Sequence, residues 1–113
     1  MHELSLAQSL IELMEDEARR GGFSRVRKAW LEIGALAGVE ETALRFGFEA
    51  AALATCAEGA ELEILTPPGE AWCFDCGRGV VLQALPDGCP HCAGHRLQVT
   101  GGTQFKLKEL EVI

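Results

Sequence analysis

Cys73-Phe74-Asp75-Cys76-Gly77 and Cys89-Pro90-His91-Cys92, with twelve residues between Cys76 and Cys89, are the stretches whose reading decides the fold. Each Cys-x-x-Cys turn can place two sulfurs on one side of a tight loop. Two such turns complete a tetrahedron around one zinc ion. Gly77 suits the turn, which needs a permissive backbone just after the second sulfur. Four thiolates leave no coordination position for water, so a zinc held this way is structural and not catalytic. The same pair of knuckles holds iron in rubredoxin-like electron carriers, which generally need no additional α/β domain of the size found here. Disulfides rank third, because the N-terminus Met1-His2-Glu3 shows no basic n-region or apolar stretch of a secretory signal. The expected compartment is therefore the cytoplasm, where thiols stay reduced.

Pro67-Pro68-Gly69 opens the cysteine-bearing segment and Gly101-Gly102 closes it. The segment between, roughly 34 residues, is too small to bury a stable core alone. It lies between two strand-like stretches, so it reads as an insertion. Residues 1–68 plus 103–113 are expected to form the main α/β domain, and residues 69–102 the zinc ribbon. The expected class is α+β, with two helices and a three-stranded sheet in the main domain.

Leu4, Ala7, Ile11, Met14 and Ala18 recur at helical spacing over residues 4–20, with Leu10 widening the stripe. Gly21-Gly22 supplies the stop. Ala29, Leu31 and Ile33 alternate with polar or large neighbours and predict a strand over 25–34. After the loop Gly34–Gly38 a second helix is expected over about 40–55. Glu40 and Glu41 stand in its first turn, where the helix dipole favours negative charge. Ala43, Phe46, Ala50 and Leu53 are its expected inner stripe. Leu62 and Ile64 face inward from a strand over 60–66. The last strand, about 104–112, changes phase: Phe105 and Leu107 share one parity, Leu110 and Val112 the other. That slip points to a bulge near Lys108-Glu109, or to halves that cover different surfaces.

Of 113 residues 48% are apolar, enough for a real core, and no apolar run is long enough to span a bilayer. The formal net charge of −7 argues against a phosphate-backbone partner, although many zinc ribbons bind nucleic acid. Cys56, the fifth cysteine, reads as a small packing residue, with no base assignable beside it. No phosphate-binding glycine loop and no nucleophile–base pair appears, so an enzyme is not expected.

His2 carries the other chemical signal. Behind so large a side chain the initiator methionine should be retained. The Met1 amine, the backbone nitrogen of residue 2 and a ring nitrogen of His2 can then close fused chelate rings on one ion. That near-planar nitrogen set suits Ni²⁺ or Cu²⁺ and fits tetrahedral zinc poorly. Glu3, or another residue, can fill the fourth position. Such a site loses affinity as pH falls, because its donors must be deprotonated.

Taken together, Met1-His2-Glu3-Leu4-Ser5, Ile33-Gly34 followed by Val39, Phe46-Gly47-Phe48-Glu49, Gly59-Ala60-Glu61-Leu62 and the paired cysteine turns resemble the HypA family, with HybF a close relative. These are the nickel metallochaperones of [NiFe]-hydrogenase maturation. The resemblance implies zinc in the ribbon and nickel at the N-terminus, with His2 as essential ligand beside the Met1 amine and the backbone of His2 and Glu3. It implies an outer or exchangeable role for Glu40, and makes His91 and His95 the candidates for a ribbon histidine near the nickel. It also implies partners: a HypB-type GTPase, the [NiFe]-hydrogenase large subunit and, in some bacteria, urease maturation proteins, with neither nucleic acid nor membrane. The competing readings are a zinc-ribbon interaction module and a rubredoxin-like carrier.

Overall fold

Apolar periodicity and glycine placement set the first helix. In the computed structural model, which describes residues 2–84 and 88–113, α1 runs from Glu3 to Gly21. It buries Ala7, Leu10, Ile11 and Met14, and leaves Leu4 exposed. Gly22 stops it in the left-handed conformation, φ 72°, and its N–H donates to the Ala18 carbonyl at 3.0 Å. Arg19 and Arg20 in the last turn complement the negative end of the helix dipole.

The remaining elements follow in the order β1 (Val26–Ile33), α2 (Glu41–Ala51), β2 (Glu61–Leu65), β3 (Gly69–Cys73), β4 (Arg78–Leu82), β5 (Leu97–Gly101) and β6 (Phe105–Val112). They form two three-stranded sheets, β2-β1-β6 and β4-β3-β5. The architecture is α+β, and β6 lies beside β1. The burial alternation of β6 slips at Lys108-Glu109 within one continuous strand.

The chain divides into two compact units. The first comprises Met1–Leu31, Val39–Ile64 and Leu107–Ile113, and the second Glu32–Gly38 and Leu65–Lys106. In the first, Leu10 and Met14 of α1, Ala29 and Leu31 of β1, and Leu44 of α2 are almost wholly buried. Burying an aliphatic side chain of this size contributes about 1.5–3 kcal/mol. On the polar side of β1, Lys28 lies between Glu61 and Glu63 at 3.3 and 3.2 Å, and 4.9 Å over the Trp30 ring.

The inner stripe of α2 differs from the one expected. Leu44, Gly47 and Phe48 face the core, and Phe46 and Leu53 are exposed. Both stripes have helical spacing. The one that wins contains a glycine, which hydrophobicity counts as nothing. A Cβ added at Gly47 would lie 3.4 Å from Leu4 Cα, in ordinary contact, so α1 and α2 pack here with space for a methyl group and nothing longer. The helix also ends earlier than expected, at Ala51. Cys56 lies in the turns that follow, where its N–H donates to Glu15 Oε1 at 2.9 Å.

In the second unit Leu36, Ala71, Cys73, Val80, Leu82 and Cys89 form one buried cluster. β3 pairs antiparallel with β4, Gly69 opposite Leu82 and Cys73 opposite Arg78. It also pairs antiparallel with β5, through a register shift at Glu70/Ala71. Gly34, Gly69 and Gly102 meet where the chain enters and leaves these strands. A Cβ at Gly34 would strike the Gly102 carbonyl, and one at Gly102 would strike the Gly69 backbone. Gly102 also holds φ +91°, which only glycine adopts readily. The Leu36 N–H donates to the Gly102 carbonyl at 2.7 Å, which ties the β1–α2 loop to the ribbon strands.

Candidate metal centre

The end of β3 delivers Cys73 to the site. The chain then turns so that the Gly77 N–H donates to the Cys73 carbonyl at 2.8 Å. The second turn repeats this: the Ala93 N–H donates to the Cys89 carbonyl at 2.8 Å. Gly77 and Ala93 both adopt positive φ, 65° and 62°. The first knuckle thus uses glycine where the second uses an alanine. Asp75 accepts from Arg96 Nε at 2.7 Å and the Phe74 N–H donates to the Arg96 carbonyl at 2.9 Å, so the first knuckle is fastened to the start of β5.

These turns bring the four sulfurs of Cys73, Cys76, Cys89 and Cys92 within 4.8 Å of one another. Cys73 Sγ lies 3.6 Å from Cys92 Sγ, and Cys76 Sγ lies 3.7 Å from Cys89 Sγ. A zinc tetrahedron with Zn–S near ~2.3 Å has S···S edges of about 3.8 Å, so the donor set fits zinc in both type and spacing. Cys73 and Cys89 are buried, Cys76 is half-buried and Cys92 is exposed. Burial and the neighbouring thiols push Cys76 up to about 12. Burial also opposes ionisation of Cys89, but N–H donors from Cys92 and His91 outweigh it and bring that thiol down to about 7. The Cys89 sulfur is therefore prepared for the anionic form, and a cation is needed to draw Cys76 and Cys92, both pushed up, into it.

The N-terminal residues are held differently. His2 precedes α1 with its side chain exposed and making no capping bond, and its carbonyl accepts the Leu6 N–H at 2.9 Å. Glu3 Oε2 accepts the backbone N–H of Glu40 at 3.0 Å. That bond holds the Glu3 carboxyl below its ordinary range, against partial desolvation. Glu40 caps α2, its Oε2 accepting from the Ala43 N–H at 2.5 Å. Glu3 and Glu40, 37 positions apart in sequence, are thus brought together beside His2. The Met1 amine lies outside the described residues. His91 and His95 are exposed in the second unit, the first inside the Cys89–Cys92 turn, where its N–H approaches Cys89 Sγ at 3.4 Å.

Sequence reading placed the four cysteines and missed the groups that support them. The left-handed Ala93 carries no glycine to betray it, and the Asp75–Arg96 pair is far apart in sequence. Leu36 in the ribbon core had no signal beyond an apolar residue in a glycine-flanked loop.

Residues 1–112 match the HypA family, described as hydrogenase/urease nickel incorporation, metallochaperone. The chain belongs to the HypA family. It is 53% identical over 113 residues to the hydrogenase maturation factor HypA of Beijerinckia indica subsp. indica, covering 100% of both chains. It is 51% identical over 112 residues to that of Bradyrhizobium sp. (strain ORS 278), covering 99% of each. The solution structure of the Ni metallochaperone HypA from Helicobacter pylori aligns with a TM-score of 0.69 at 26% identity, over 100% of this chain and 98% of that one. A HypA-family member is a nickel metallochaperone of hydrogenase maturation, and here the family's fold carries a four-cysteine cluster suited to zinc. Among the described residues no helix is long and apolar enough to cross a membrane.

Proposed function

We propose that this chain binds Ni²⁺ at its N-terminus, through the Met1 amine, the backbone nitrogens of His2 and Glu3 and the His2 imidazole. It then delivers the ion for assembly of the [NiFe]-hydrogenase active site. The observation that carries the reading is the bond from the Glu40 N–H to Glu3 Oε2. It fastens the residue next to His2 onto the start of α2, so a segment that would otherwise fray is presented at a defined place. Glu3 thereby serves first as an anchor, and Glu40 supplies a carboxylate close by for an outer or exchangeable role.

The two metal sites divide the labour. Four thiolates in a closed site exchange slowly, and zinc bound there supplies folding free energy to the ribbon. Nitrogen donors at an exposed terminus release their cargo more readily, and protonation competes with nickel for them. The protein acts without catalysis, in the reducing cytoplasm. Its partners are a HypB-type GTPase, the hydrogenase large subunit and, where urease is also served, urease maturation proteins.

The test is calorimetric nickel titration of zinc-loaded protein with its native N-terminus, beside His2→Ala and a variant with one residue added before Met1. Wild type is expected to bind one nickel tightly and both variants to lose it. Equal binding by all three, or none by any, would refute the N-terminal chelate.

A further inference from the structure

The ribbon sheet is apolar on its outer side as well as on its cysteine side. Ala71, Cys73, Val80 and Leu82 belong to the buried cluster, while the alternate positions Trp72 and Val81 stand in solvent, 42% and 52% exposed. Phe74, two residues beyond Trp72, is 53% exposed. Trp72 lies directly opposite Gly79 in the β3–β4 ladder. A Cβ built at Gly79 would meet no neighbour within 4 Å, so the Trp72 ring does not cover the glycine and a notch stays open beside it.

The notch sits on an edge strand. Among the described strands, β2 and β6 end one sheet, and β4 and β5 the other. Three of these carry a device against further pairing. In β2 the Leu62 carbonyl accepts from Arg45 Nη1 at 2.8 Å, and Glu61 and Glu63 add charge. Along β6 stand Lys106, Lys108, Glu109 and Glu111, and β5 meets β3 through a register shift. After Arg78, β4 reads Gly79-Val80-Val81-Leu82, with no proline, no charge and an unbroken register.

We propose that β4 is a strand-addition site for an extended segment of a partner protein, whose large apolar side chain enters the notch over Gly79 and whose adjacent Asp or Glu meets Arg78. Residues opposite one another in a ladder share a face. The residue opposite Gly79 therefore packs against Trp72, with Val81 and Phe74 beside it. Its neighbour in the added strand lies opposite Arg78, which is exposed and forms no ion pair among the described residues. Main-chain bonds to the edge supply affinity for any extended segment, and the notch and the cation supply the choice among segments. A second copy of this chain fits less well. Two β4 strands paired about Val80 set Val81 over the other copy's Gly79, but valine is too short to cover Trp72 and Phe74. Arg78 then faces Leu82, and its charge stays unmatched.

The experiment selects binders from a displayed library of random peptides on full-length, zinc-loaded, nickel-free protein, then titrates the enriched peptides against wild type and variants. Enriched peptides are expected to carry Phe, Trp, Leu or Ile next to Asp or Glu, and to protect the β4 amides from hydrogen exchange. Gly79→Val fills the notch where space is open, and valine favours a strand, so the fold is kept while affinity falls about tenfold or more. Arg78→Glu should shift the preference from acidic to basic peptides. Val81→Lys, a charge on the edge, is a second probe, and circular dichroism and zinc content establish that each variant is folded. The proposal is overturned if the folded variants bind the peptides as wild type does, if the apolar–acidic pair is not enriched, or if no peptide is. It is equally overturned, in favour of a second copy, if wild type sediments as a dimer that Gly79→Val turns into monomers. No nickel is present in this test, so its failure leaves the N-terminal chelate untouched.

Discussion

Ala93 shows how a single residue can hold a strained post beside a four-cysteine cluster. Its φ of 62° places an L side chain in the left-handed region, at a cost of roughly 1–2 kcal/mol that glycine does not bear. The equivalent position in the first knuckle is Gly77, at 65°. Ala93→Gly is therefore expected to stabilise the zinc-loaded protein by about 1 kcal/mol, read as a higher denaturant midpoint. Part of the gain is offset by the extra freedom of glycine in the unfolded chain. Gly77→Ala should do the reverse. At this scale the four-cysteine cluster was legible, because two Cys-x-x-Cys turns constrain chemistry by spacing alone. The strain was not, because φ at residue 93 is set by the Ala93–Cys89 backbone bond, which exists only once the turn has closed.

Between elements, the informative contact is that of α1 with α2. Gly47 sits in the middle of α2 with Leu4 Cα 3.4 Å from where its Cβ would be, which is ordinary van der Waals contact. A methyl group fits and a longer side chain does not. Gly47→Ala is expected to stabilise the fold by about 0.5–1 kcal/mol, since alanine is the better helix former. Gly47→Leu must part the helices and should destabilise by about 1–3 kcal/mol. Thermal and chemical denaturation of the two variants check the opposite signs. Periodicity located both helices and the strands β1, β2 and β6 to within a few residues. It chose the wrong face of α2, because Ala43, Phe46, Ala50 and Leu53 form as good a stripe as the buried one. Only the partner helix decides between them, and it decides by close approach at a glycine. The ribbon strands β3, β4 and β5 escaped notice for a related reason: in so small a sheet the cysteines and turns dominate the pattern.

For the molecule as a whole, the two units differ in what stabilises them. The first has an aliphatic core of its own. The second has a small cluster that includes two of the cysteines, Cys73 and Cys89. Removing zinc with a chelator is expected to expose the amides of β3, β4 and β5 to hydrogen exchange first, while those of α1 remain protected. Exchange mass spectrometry reads the order. Simultaneous loss of protection in both units would show that zinc sustains the entire fold.

The sequence by itself determined the α+β class, the four-cysteine cluster and the resemblance to a nickel-carrying family, since all of these reside in local spacing and residue chemistry. Tertiary structure alone decided that Glu3 meets the Glu40 N–H, that Leu36 joins the ribbon core, that Gly34 and Gly102 meet without room for a side chain, and that Phe46 faces solvent. Each of these depends on groups far apart in the chain, and no local pattern encodes a contact that forms only when distant segments pack.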